Sequence, residues 1–114
     1  GSNGTATPTH LLNVVGSANI TGNITLGNVG SKLLMNNATN GCTGRITLSG
    51  LGTAQIATTC VTDNSNVMLT RQTTGGVIGI VGVDSRTANV GFNISSTNTL
   101  DTSTIAWFII EPIN

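Results

Sequence analysis

An all-β fold, an antiparallel β-sandwich or jelly-roll-like head, is what this sequence predicts, on three observations. About a third of the chain is Thr, Asn or Ser, with 15 glycines besides; Thr favours strands through its branched Cβ, while Gly and Asn supply turns with positive φ. Six short apolar runs recur between Gly, Asn and Asp clusters, with no helical period. The last run, Thr104-Ile105-Ala106-Trp107-Phe108-Ile109-Ile110-Glu111, is apolar on both faces and is closed by Pro112.

In that last run, alternation puts Ile105, Trp107 and Ile109 on one side and Ala106, Phe108 and Ile110 on the other. A strand with two apolar faces needs two covers: its own core and something else. In a chain of 114 residues the natural second cover is another copy. We assign Trp107 to the core with Ile105 and Ile109, and place Phe108 and Ile110 towards a neighbouring chain.

Charge excludes several classes. Only 7% of residues are charged and the formal net charge is zero, so there is no basic stripe to hold nucleic acid or an anionic membrane. No apolar run of about 18 residues marks a membrane span, and no leader is expected. Gly1-Ser2 has the form of a cleavage scar, and on that reading the chain is expected to be a fragment cut from a longer protein. Sequons at Asn3, Asn19, Asn23, Asn37 and Asn93 are what an Asn- and Thr-rich composition produces by chance.

Along the chain, residues 1–10 read as tag remnant and linker. The lone His10 has no Cys, carboxylate or second His near it, so it is a packing or surface residue rather than a ligand or base. Residues 11–40 repeat short Val, Ile and Leu units between Gly and Asn: Val14-Val15-Gly16, Asn19-Ile20-Thr21-Gly22, Asn23-Ile24-Thr25-Leu26-Gly27. Either three chains pool these residues in a short β-rich stalk, or the segment is an irregular hairpin lying on the next domain. Asn36 to Gly41 marks the boundary, and 41–114 form the head.

The head opens on an expected hairpin, Arg45–Ser49 and Thr53–Thr59, turning at Leu51. Opposed residues then sum to 102, which sets Ile46 against Ile56 and Cys42 against Cys60. Cross-strand Cβ atoms sit about 4.5–5.5 Å apart, near disulfide geometry. Either a bond forms, adding about 3 kcal/mol in the chain-entropy model, or the two remain reduced thiols in a cytosolic protein. The turn Val61–Asn66 contains Asp63, Asn64 and Asn66 but lacks the acidic spacing of a calcium loop, so no metal is expected. In the strand Val67–Gln72, Arg71 shares a face with Val67 and Leu69. It pairs with Glu111, meets another subunit, or lies on a neutral surface. Val77–Val83 is the next strand, with glycines suited to close packing rather than to phosphate. Asp84–Asn89 is an exposed loop, Val90–Ser95 a strand, and Ser96–Ser103 a polar loop leading to the closing strand.

Several ordered blocks carry a family likeness: Gly52-Thr53-Ala54 with Ile56, Val61-Thr62 with Asn64-Ser65, and Leu69-Thr70-Arg71-Gln72 followed by Gly75-Gly76. Gly91-Phe92, Ile94-Ser95-Ser96, Asp101-Thr102-Ser103-Thr104, Trp107, Ile109 and Glu111-Pro112 continue it. In these, residues from about Gly44 to Pro112 resemble the C-terminal head domain of fibre and tail-fibre-like structural proteins of bacteriophages and large DNA viruses. The resemblance implies a trimeric β-sandwich head at the tip of a virion fibre, without a catalytic site or cofactor.

The functional expectation is therefore a non-enzymatic, homotrimeric head that attaches the virion to a host-surface receptor or glycan, with Trp107, Phe108, Ile110 and Arg71 in or near the trimer contact. Candidate receptor loops are Asp63–Asn66, with Asn64; Asp84–Asn89, with Arg86; and Asn93–Asn98; their Asn, Asp, Ser and Arg groups can hydrogen-bond sugars. Three copies would add avidity. The alternatives are a trimerisation or capping module without receptor binding and a polysaccharide-degrading spike. Catalysis has little to draw on, because triads need a base near the nucleophile and glycosidases need paired carboxylates. An ice-binding or adhesin domain would need regular Thr-x-Thr arrays that the strands lack.

Overall fold

A computed structural model describes residues 12–113. The linker and tag residues expected at 1–10, His10 among them, lie outside the described residues. The chain divides into two compact units, Gly1–Leu33 and Leu34–Asn114.

In the first unit the described residues form no strand and all are exposed, including Val15 and Val29. The short β units expected there are not formed within one chain. Strands this brief, with no neighbouring strand, do not hold together in water.

The second unit contains six strands: β1 (Thr43–Thr47), β2 (Thr53–Ala57), β3 (Asn66–Thr73), β4 (Val81–Thr87), β5 (Gly91–Ser96) and β6 (Thr104–Ile110). They form two antiparallel three-stranded sheets, ordered β1-β6-β3 and β2-β5-β4. Jelly rolls have about eight strands. Among the described residues there is no helix. The composition explains the sheets: Thr, Val and Ile fill the strands, and positive-φ Gly50, Gly52 and Asn89 turn the chain between them.

One core joins the inner faces of both sheets. Ile105, Trp107 and Ile109 of β6 meet Ile56 of β2 and Phe92 and Ile94 of β5, with Leu48 and Val61 closing the ends. Phe92 meets Trp107 edge-on, with ring centroids 5.2 Å apart, a favoured aromatic geometry. Gly44 lies directly under the indole, where an added Cβ would come 2.9 Å from the ring.

Two expectations are corrected here. The expected β1–β2 hairpin closes only at the Ser49–Thr53 bridge, which has the predicted register. Beyond it the strands part into different sheets, because β6 and β5 each offer a long apolar strand to pair with, and Ile46 pairs with Ile105 rather than opposing Ile56. The strand expected at Val77–Val83 begins four residues later. Asp84 and Arg86 therefore lie within β4 and not in a loop. The apolar residues Val77–Ile80 instead wrap the end of the head, where Gly76 (φ 60) lies so close to the Leu100 carbonyl that no Cβ would fit.

Replacing Gly44 by Val should drive the indole out of place and cost about 1–3 kcal/mol, read as a lower urea midpoint together with loss of the near-ultraviolet Trp107 signal.

Candidate functional site

The antiparallel order gives the head two ends. At one end lie the loops after β1, β3 and β5; at the other, the chain enters β1 and leaves β6, flanked by the loops after β2 and β4. We call these the tip and the base.

The tip is built around Asp101, which is fully buried. Its Oδ2 accepts from Arg71 Nη2 at 2.8 Å, Ser96 Oγ at 2.7 Å and the Gly79 amide at 3.0 Å. Its Oδ1 accepts from Ser103 Oγ at 2.6 Å and the Ser103 amide at 3.0 Å. Arg71 also donates to Ser103 Oγ and to the Gly79 carbonyl. The inward-facing arginine of β3 is thus answered by Asp101 and not by Glu111. Hydrogen bonding by the Ser103 hydroxyl, followed by the Gly79 amide, the Ser96 hydroxyl and the Ser103 amide, holds the Asp101 carboxyl well below the usual carboxylate range. This prevails over burial, which alone would raise it.

At the base, Glu111 accepts from Thr62 Oγ1 at 2.9 Å and from the buried Ser65 hydroxyl. Arg86 reaches from β4 across to the Ser65 carbonyl. It therefore ties one sheet to the start of β3 in the other instead of standing in a receptor loop. Asp63 and Asn64 are exposed in the β2–β3 loop beside it, Asn66 begins β3, and Asn89 occupies the β4–β5 turn. Among the candidate receptor residues, only Asn98 belongs to a tip loop. Cys42 and Cys60 form a disulfide at the base, with Cα atoms 5.4 Å apart.

The outer faces of the two sheets differ in chemistry. On β1-β6-β3, Phe108 lies between Thr43 and Met68, with Ile110 beside Asn66 and Ala106 between Arg45 and Thr70. Phe108 is 37% exposed, Met68 47% and Ile110 51%. Trp107 faces the other way, into the core. On β2-β5-β4, the outward rows are Thr53, Ser95 and Gly82, then Gln55, Asn93 and Ser85. Asn93 Nδ2 donates to Ser85 Oγ, and Ser95 Oγ donates to Asp84 at a register shift in β4. The structure thus brings Asn93, Asp84, Ser85 and Ser95 together on one polar face and leaves the remaining candidates elsewhere.

Ser85 and Ser95 fall within the candidate stretches Asp84–Asn89 and Asn93–Asn98; Gln55 lies outside them, although period-two polarity in Thr53-x-Gln55 marks it as outward-facing. The Asp101 cluster escaped the sequence reading. Its local half was visible as Asp101-Thr102-Ser103, a pattern in which an Asp side chain caps the backbone two residues on. Among the described residues no group of three or more His, Cys, Asp or Glu is placed to hold a metal.

Two small antiparallel sheets around one core, with polar loops and almost no charge, describe a small all-β structural domain. Residues 37–110 match the family described as the K1 capsule-specific polysaccharide lyase, C-terminal domain, and the chain belongs to that family. This places it among phage spike-type, virion-associated domains; a fibre head in particular is a finer reading. No curated protein and no solved structure matches the chain.

The depressed Asp101 value has a pH consequence. An unfolded Asp titrates near pH 3.9, above the folded value, so the stabilisation is present above about pH 4 and is lost as pH falls below it. A series of urea midpoints from pH 7 to pH 2 should therefore drop steeply below pH 4. Asp101→Asn should have a lower midpoint at pH 7 and a flatter acid limb; an unchanged acid limb would remove Asp101 from this role.

Proposed function

We propose that the chain is the non-catalytic head of a homotrimeric virion fibre or spike, a β-sandwich preceded by a stalk-forming segment at 11–40, and that it attaches to a host-surface glycan. The observation that carries this reading is the contrast between the outer faces: one sheet presents Phe108, Met68 and Ile110, the other Gln55, Asn93, Ser85 and Ser95. An apolar patch on an outer sheet face marks an interaction surface, and a second copy of this nearly uncharged chain is a fitting cover. The polar face offers amide and hydroxyl groups at strand spacing, suited to hydrogen-bonding sugar hydroxyls. Three copies multiply a weak single contact.

The family takes its description from a polysaccharide lyase, which keeps a polysaccharide-degrading spike in view. For this chain we infer binding rather than cleavage. The carboxylate of Asp101 is fully engaged, Glu111 is bound within the base, and Asp63 stands in the β2–β3 loop while Asp84 lies within β4. A trimerisation or capping module without a receptor is the remaining alternative.

Light scattering should give three times the 11.5 kDa of one chain. Phe108→Ser should shift that mass towards monomer while leaving the Trp107 signal intact, and a monomeric wild type at micromolar concentration would remove the trimer from this account. Gln55→Ala with Asn93→Ala should weaken retention on host capsule or surface polysaccharide by roughly tenfold, about 1.4 kcal/mol, without changing the mass. Absence of binding by the wild type would favour the capping module.

A further inference from the structure

Cys42 precedes β1 in one sheet, and Cys60 follows β2 in the other, 18 residues on. The bond therefore staples the two sheets at the base, which a hairpin disulfide would not do. The sulfurs are not alone in joining these segments. Thr58 Oγ1, on a buried residue, donates to the Gly41 carbonyl at 2.8 Å, and the Thr59 amide donates to Asn40 Oδ1 at 3.2 Å. The Cys60 amide is held on Thr58 Oγ1, and the Cys42 carbonyl accepts from the Ile109 amide at 2.8 Å. The far end of the same loop is closed by the Ser49–Thr53 bridge. Both ends of the loop are thus fixed by contacts that do not involve the sulfurs.

We infer that the head reaches its full fold with both thiols reduced, and that the disulfide is added last, as a lock on the joint between the sheets. Cytosol keeps thiols reduced and the exterior lets disulfides persist, so a virion-associated chain that forms inside a cell and acts outside it meets the two conditions in that order. With oxidised glutathione as the oxidant, one cysteine thiolate attacks a glutathione sulfur and expels a glutathione thiolate. The second cysteine thiolate then attacks the mixed disulfide and expels the other. Two protein thiols lose two electrons and two protons, and the glutathione disulfide becomes two glutathione thiols. The lock is independent of what the head binds.

The test compares reduced and oxidised protein. After reduction without denaturant, and in Cys42→Ser/Cys60→Ser, the near-ultraviolet Trp107 signal should persist at 25 °C, with only the urea midpoint lowered. In glutathione redox buffers, the equilibrium constant for closing the Cys42–Cys60 bond should be about 100-fold greater in the native protein than in urea, the factor equivalent to a loop of this size. Thr58→Val should reduce that ratio while the Trp107 signal is retained. Loss of the signal on reduction, in both the chemically reduced protein and the double variant, would show that the bond builds the fold rather than locking it. Equal closure in native and urea-unfolded protein would equally overturn the inference.

Discussion

The buried Asp101 carboxylate is the constraint on which the tip of the head depends. A charge in the interior persists only when it is paired and hydrogen-bonded, and Asp101 meets that condition with donors from four parts of the chain: β3, the β3–β4 loop, the end of β5 and the segment leading into β6. Two of these donors, Gly79 and Ser103, belong to loops that would otherwise be free to adopt several paths. Satisfying one carboxylate therefore selects one arrangement of the β3–β4 and β5–β6 loops and fixes where β6 begins. This also explains why Val77–Ile80 does not pair as a strand: Gly75 and Gly79 are committed to Ser103 and Asp101.

With β6 fixed at its start, alternation decides the rest. Ile105, Trp107 and Ile109 turn inward to Phe92 and Ile94, so Phe108 and Ile110 must turn outward. The outward residues cost solubility in an isolated chain and gain it in an assembly. The second sheet has no such excess; its central strand alternates buried Phe92 and Ile94 with polar Asn93 and Ser95. A domain whose two sheets differ in this way can use one face to assemble and the other to meet a hydrophilic partner.

The sequence made the strands legible where apolar and polar residues alternate cleanly. In β5 and β6 the inward and outward faces follow from Phe92, Ile94, Ile105, Trp107 and Ile109. It was least informative where pairing is distant. Ser49 and Thr53 revealed the turn, but nothing local indicates that β1 and β2 then leave one another for β6 and β5. Arg71 announced itself as an inward charge without naming its partner, since Asp101 lies 30 residues away and is brought near only by the completed fold. The polar face formed by Gln55, Asn93, Ser85 and Ser95 likewise draws on three strands and exists only once they are in register. Loop composition suggested Asp63 and Asn89 as contact residues, yet both lie at the end where the chain enters the head.

Amide hydrogen exchange at neutral pH tests the central claim, that Asp101 holds the tip closed, most directly. Gly79 and Ser103 lie outside any strand, and their amides would ordinarily exchange like those of a surface loop. If their hydrogen bonds to the carboxylate bind the tip into the core, both should exchange as slowly as the amides of Ile105 and Ile94, by global unfolding. Exchange at the rate of an open loop, with β5 and β6 still protected, would contradict the account.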